Sequence, residues 1–123
     1  MLIVDDHEDS VQMYACALLA MGFDTVTAET ADAAFARTCE LKPDIVVADI
    51  SLPGISGLEL TRRLREDTRT KDTRIIVLTG HADASFERKA YDAGCDRFLA
   101  KPCLPDTLAL EVRNVLSGQP NGQ

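Results

Sequence analysis

Five short β-branched runs alternate with stretches of helical period, and that alternation leaves few folds open to this chain. The runs are Leu2-Ile3-Val4, Thr25-Val26-Thr27, Ile45-Val46-Val47, Ile75-Ile76-Val77-Leu78 and Phe98-Leu99. The third and fourth are almost wholly apolar, as in central parallel strands covered on both faces. Between the runs, Val11, Tyr14, Ala15, Leu18 and Leu19 follow the spacing of one buried helical face, which Gly22 ends. Ala31, Ala34, Phe35, Thr38 and Leu41 repeat the pattern until Pro43 blocks it. Leu58, Thr61 and Leu64 mark a third helix with Arg62, Arg63 and Arg65 on its wet side. Phe86, Ala90 and Ala93 mark a fourth, closed by Gly94. Leu108, Val112, Val115 and Leu116 mark a fifth, opened by Pro105. Right-handed crossovers then give a doubly wound α/β fold, a parallel sheet with helices on both faces.

A chain of 123 residues suits one domain. Its boundaries are expected at residues 1–117, with a polar tail over 118–123 that is expected to be disordered. No apolar run approaches the roughly 20 residues that span a bilayer, and no signal peptide is evident, so the expected compartment is the cytoplasm. The net charge of −7 argues against direct nucleic-acid binding. Cys16, Cys39, Cys95 and Cys103 show no C-x-x-C spacing and read as reduced thiols.

In an open α/β sheet, ligands sit beyond the carboxyl ends of the strands. The first run ends in Asp5-Asp6, the third in Asp49, the fourth in Thr79 and the fifth in Lys101; the second ends in Ala28-Glu29, without a comparable group. Each residue alone is ordinary, since an aspartate after a strand is often a loop residue or helix cap. Together they put three carboxylates, a hydroxyl and an ammonium on one edge. Two carboxylates about 5 Å apart repel by about 3 kcal/mol at an effective dielectric near 20, so the cluster needs cations. Lys101 supplies one, and the oxygen-rich set suits Mg²⁺. A carboxylate beside that ion can attack phosphorus and form an aspartyl phosphate, and an already ionised nucleophile needs no general base.

These residues carry a resemblance. Ile3-Val4-Asp5-Asp6, then Asp49-Ile50-Ser51-Leu52-Pro53-Gly54-Ile55-Ser56-Gly57, then Thr79-Gly80, then Lys101-Pro102 resemble, in order and spacing, bacterial receiver domains of two-component signalling. The likeness is to the chemotaxis-regulator type and extends over essentially the whole chain. It implies a flavodoxin-like sheet in the order 2-1-3-4-5. It implies that Asp49 accepts a phosphoryl group from a histidine kinase or histidine phosphotransfer protein. Asp6 would bind Mg²⁺ directly, Asp5 would hold a metal-bound water, and Asp49 and the Ser51 backbone carbonyl would complete the protein ligands. Lys101 and Thr79 would hold the phosphoryl oxygens, and Gly80 would be the small residue beside them. The Lys101–Pro102 bond resembles the family's cis peptide. Phe98 matches the switch aromatic, although core packing explains it as well, and His81 reads first as a solvated loop histidine.

The resemblance further implies a signal leaving through the fourth helix, fifth strand and fifth helix, near Phe86, Arg88, Lys89, Tyr91 and Arg97. A homodimer through that face is open. No enzymatic activity is implied beyond promotion of self-phosphorylation and slow autodephosphorylation. A receiver excised from a hybrid histidine kinase fits the same residues. An aspartate-nucleophile phosphatase of the haloacid-dehalogenase type fits less well, because Asp49-Ile50-Ser51 lacks the second aspartate of D-x-D. A receiver-like module that is not phosphorylated predicts an eroded acidic cluster, and here all five site residues are present. A dinucleotide site would need G-x-G-x-x-G after the first strand, which is absent.

Overall fold

The computed structural model describes residues 1–50, 56–80, 84–101 and 103–118. The strands are β1 (Leu2–Val4), β2 (Val26–Ala28), β3 (Ile45–Asp49), β4 (Arg74–Thr79) and β5 (Arg97–Ala100). The helices are α1 (Glu8–Ala20), α2 (Ala31–Leu41), α3 (Gly57–Glu66), α4 (Ala84–Ala93) and α5 (Pro105–Leu116). All strand pairs are parallel, and the sheet order is β2-β1-β3-β4-β5. This is the doubly wound topology expected from the sequence. The second strand is shifted by one residue, and β3, β4 and β5 run past the apolar runs into Asp49, Thr79 and Ala100.

Alternation along the strands divides the core in two. Leu2, Val4, Val46, Ala48, Ile75 and Val77 face Ala31 and Ala34 of α2, Leu60 and Leu64 of α3 and Ala90 of α4. Ile3, Ile45, Val47, Ile76 and Leu78 face Tyr14 and Leu18 of α1 and Leu108, Val112 and Val115 of α5. Burial at about 25 cal/mol per Å² of apolar surface makes these two layers the main stabilising term.

The helix ends follow from local chemistry. Thr30 accepts a hydrogen bond from the Ala33 amide at 3.1 Å and caps α2; Ser56 does the same for α3 from Glu59 at 3.3 Å. Lys42 leaves α2 in the left-handed region, with φ 49°, just before Pro43. Gly94 closes α4 at φ +109°, and a Cβ there would meet the Arg65 side chain at 2.7 Å.

Four expectations about helix faces are corrected. Leu19 and Leu116 are 60% and 42% exposed, because each stands about 100° round the helix from a buried neighbour, Leu18 or Val115. Leu41, the last residue of α2, is 47% exposed. Arg65 is not on the wet side of α3. Its guanidinium donates to the Gly94 carbonyl at 2.8 Å, the Lys71 carbonyl at 3.0 Å, the Thr73 carbonyl and the Asp96 carboxylate at 2.8 Å.

Candidate functional site

The parallel topology sends the carboxyl ends of β1, β3, β4 and β5 to one edge of the sheet. Asp5 follows β1, and its backbone amide donates to the Ala28 carbonyl at 3.1 Å, extending the pairing with β2 by one residue. Asp49 is the last residue of β3 and pairs in register with Leu78; Ile50 then donates to the Leu78 carbonyl at 2.9 Å. Thr79 ends β4 and is buried, and its carbonyl accepts from the Lys101 amide at 2.7 Å. These ladder bonds fix the mutual positions of the three strand ends that carry Asp49, Thr79 and Lys101.

The side chains converge. Lys101 Nζ lies 3.0 Å from Asp49 Oδ2 and 3.4 Å from Asp5 Oδ2. Asp5 and Asp49 are 3% and 5% exposed, and both face that ammonium. Burial works against the charge on Lys101, but its hydrogen bond to Asp49 and the charges of Asp49 and Asp5 outweigh it. Its pKa therefore lies above the ordinary lysine value. Ligand atoms of Asp5, Asp6, His7 and Asp49 all lie within 4.8 Å of one another. Three carboxylates against one ammonium leave an uncompensated negative charge, and oxygen donors in this number fit a hard divalent cation.

Gly57 brings α3 onto this edge. A Cβ at Gly57 would stand 2.3 Å from the Asp49 carbonyl oxygen, so only glycine permits the approach. Its amide donates to the Ile50 carbonyl at 2.9 Å. On the other side, the buried Tyr14 hydroxyl donates to the Cys103 carbonyl at 2.6 Å, two residues beyond Lys101. Burial pushes the Tyr14 phenol above its ordinary pKa. Gly80 is exposed, and a Cβ there would meet nothing within 4 Å, so packing among the described residues does not demand its smallness.

The sequence-predicted Asp5, Asp6, Asp49, Thr79 and Lys101 are thus gathered at one sheet edge. Ser51, His81, Pro102 (hence the Lys101–Pro102 bond) and the tail from residue 119 onward lie outside the described residues. Phe98 is half-buried, in register with Val77 and packed on the α2–α4 side of the core. Arg97, expected on the exposed signalling face, is corrected. It is 4% exposed, with Nε 3.0 Å from Glu111 Oε2 of α5. Two contributors went unread in the sequence. His7 had its signal in plain view, an imidazole directly after two carboxylates. Tyr14 was read only as part of a core face.

Residues 1–113 match the family described as the response regulator receiver domain. The chain belongs to that family. It is 37% identical over 115 residues to the phosphate regulon transcriptional regulatory protein PhoB of Pseudomonas aeruginosa, covering 94% of this chain and 50% of that protein. The receiver domain thus spans about half the length of that relative. A putative response regulator from Chloroflexus aurantiacus superposes with a TM-score of 0.89 at 34% identity, covering 94% of this chain and 95% of that one. A response regulator from Burkholderia pseudomallei, whose structure holds a phosphorylated aspartic acid, a calcium ion and citrate, superposes at 0.80 with 30% identity. That match covers 93% of this chain and 70% of that one. Among the described residues, no helix of the receiver domain is long and apolar enough to cross a membrane.

Proposed function

We propose that this receiver domain, as one unit over residues 1–117, takes a phosphoryl group onto Asp49 from a histidine kinase or histidine phosphotransfer protein. The observation that carries the reading is the Lys101 ammonium 3.0 Å from Asp49, inside a cluster with Asp5 and Asp6 whose ligand atoms lie within 4.8 Å. The phosphorylated aspartate and bound calcium of the Burkholderia relative support the same assignment. An Asp49 carboxylate oxygen attacks phosphorus, a P–O bond forms and the P–N bond to the donor imidazole breaks. The imidazole leaves with the electron pair and takes up a proton. Attack by a carboxylate needs no general base.

Asp6 and Asp49 would hold Mg²⁺ directly, with Asp5 through a water and the Ser51 carbonyl as a further ligand. When bound, the ion supplies neutralisation of charge on the phosphoryl oxygens. Lys101 and the Thr79 hydroxyl hold the remaining oxygens. The new group adds about −1.5 to −2 charges and three acceptors. Thr79 then draws toward it, and Phe98 fills the space released on the α4 side. The face of α4, β5 and α5 changes and is read by a partner or a second copy. Moving such a balance from 1:99 to 99:1 takes about 5.5 kcal/mol. A charge-assisted hydrogen bond, the Lys101 link and a newly buried ring are together of that order. The acidic chain is expected to work in the cytoplasm without contacting nucleic acid itself.

Incubation with acetyl phosphate and Mg²⁺ is expected to add one phosphoryl mass to the wild type and none to Asp49→Asn. Undiminished labelling of Asp49→Asn overturns the assignment. Amide shifts on adding beryllofluoride, which imitates the phosphoryl group, are expected at Phe98 and along α4. Shifts confined to the surroundings of Asp49 overturn the proposed output face.

A further inference from the structure

His7 holds the N-cap position of α1, where a side chain ordinarily accepts a hydrogen bond from the helix, yet it makes no capping bond. Its ring turns back instead. Nδ1 lies 3.2 Å from Asp5 Oδ1 and 3.1 Å from Asp6 Oδ1, and the side chain is 68% exposed. The backbone amide of His7 also donates to Asp5 Oδ1 at 2.9 Å, which fixes the residue against the carboxylate it faces.

Lys101 approaches the same cluster from elsewhere. It takes the Oδ2 atoms of Asp49 and Asp5, whereas His7 meets the Oδ1 atoms of Asp5 and Asp6. The imidazole therefore does not compete with the ammonium for its oxygens. Two ligands of one small divalent ion, each bonded at about 2.1 Å, stand at most about 4.2 Å apart. The atoms of Asp5, Asp6, His7 and Asp49 all lie within 4.8 Å of one another, so Asp6, Asp49 and His7 are within a small side-chain rotation of that limit while Asp5 stays one water away.

We propose that His7 Nδ1 is a nitrogen ligand of this cation centre and tunes it toward Mn²⁺ over Mg²⁺. The inference rests on the reading that the aspartates hold a divalent cation. Mg²⁺ keeps oxygen ligands and waters and gains little from an imidazole. Mn²⁺ accepts carboxylates as readily and, as a first-row transition ion, gains more than Mg²⁺ from one imidazole nitrogen, so adding His7 to the carboxylate ligands favours it.

The test is calorimetric titration of the full chain with MnCl₂ and with MgCl₂. His7→Gln is expected to weaken Mn²⁺ binding by at least about tenfold while Mg²⁺ changes by less than about twofold. Pulsed electron paramagnetic resonance of the Mn²⁺-loaded, ¹⁵N-histidine-labelled protein is expected to show coupling to a directly bound nitrogen. That coupling disappears in His7→Gln and persists in His81→Gln. Equal weakening of both metals, no weakening of either, or coupling lost in His81→Gln but kept in His7→Gln overturns the role of His7. Asp6→Ala separates the two levels: if that variant keeps full affinity for both metals, the cation centre itself is misassigned. Because His7 is mostly exposed, an unchanged melting temperature in chelator verifies that His7→Gln is folded.

Discussion

Gly57→Ala inserts one methyl group at the point where α3 meets the end of β3. The added Cβ would lie 2.3 Å from the Asp49 carbonyl oxygen, 3.0 Å from the Asp49 carbonyl carbon and 3.0 Å from the Ile50 Cα. All three are backbone atoms of a buried strand end, so no flexible side chain can yield. Relief requires α3 to move outward by about 1 Å, and overpacking of this kind costs about 1–3 kcal/mol. The movement strains the Gly57 amide bond to the Ile50 carbonyl, now 2.9 Å, and the Thr61 hydroxyl bond to the Gly57 carbonyl, now 2.8 Å. For a domain of this size, 1 kcal/mol corresponds to about 4 °C, so the variant is expected to melt about 4–12 °C below wild type. The same displacement turns the Asp49 carboxylate away from Lys101, so labelling by acetyl phosphate should slow as well. Circular dichroism melts with a parallel phosphorylation time course test both effects. A variant that melts within about 1 °C of wild type and labels at the wild-type rate would refute the steric argument.

Tyr14→Phe removes the buried hydroxyl from the Cys103 carbonyl, leaves that acceptor unpaired and is expected to cost about 1–2 kcal/mol, read by urea denaturation. Its effect on phosphorylation should vanish in a Lys101→Ala background if Tyr14 acts by holding the segment after β5. Cys95 and Lys101 are among the groups that destabilise the fold at alkaline pH. Burial pushes Cys95 from 9.0 to about 12, so its contribution is complete below pH 9 and is lost as pH rises toward 12; Cys95→Ala should flatten that part of the stability curve. Lys101, raised above 10.5, contributes fully below that pH and loses its contribution as the pH passes its folded value, a loss that Lys101→Ala should lack. Mg²⁺ is expected to raise the melting temperature of the wild type and not of Asp6→Ala, by differential scanning calorimetry.

The fold was legible because its signal is periodic. β1 was read to the residue, the other strands to within one or two, and the buried stripes of α1, α2 and α5 contain Tyr14, Leu18, Ala34, Thr38, Leu108 and Val112 as read. Those stripes were read too broadly at Leu19, Leu41 and Leu116, because spacing marks the centre of a face better than its edge. The convergence of Asp5, Asp6, Asp49, Thr79 and Lys101 was legible because a parallel sheet delivers strand ends to one edge. The contacts of Arg65, Arg97 and Tyr14, 6 to 89 residues away along the chain, were not, and Gly57 stood in the quoted motif without its steric reason. A charged side chain that folds inward has the same letter as one in water.

Arg65 sets the mechanics of the opposite end of the sheet. One guanidinium ties the end of α3 to the carbonyl that follows α4, to the turn before β4 and to Asp96, which also accepts from the Ile75 amide at 2.8 Å. The starts of β4 and β5 and the tail of α4 are thus riveted at a single point, far from Asp49. A force applied at Thr79 meets a lever whose fulcrum is already built. In the switch proposed above, a push at Thr79 would act at the other end of β4 from that rivet, so α4 would pivot about its anchored trailing end. Under the same proposal, removing the rivet with Arg65→Ala would leave α4 free to shift as a whole, and the push would reach its leading end weakened.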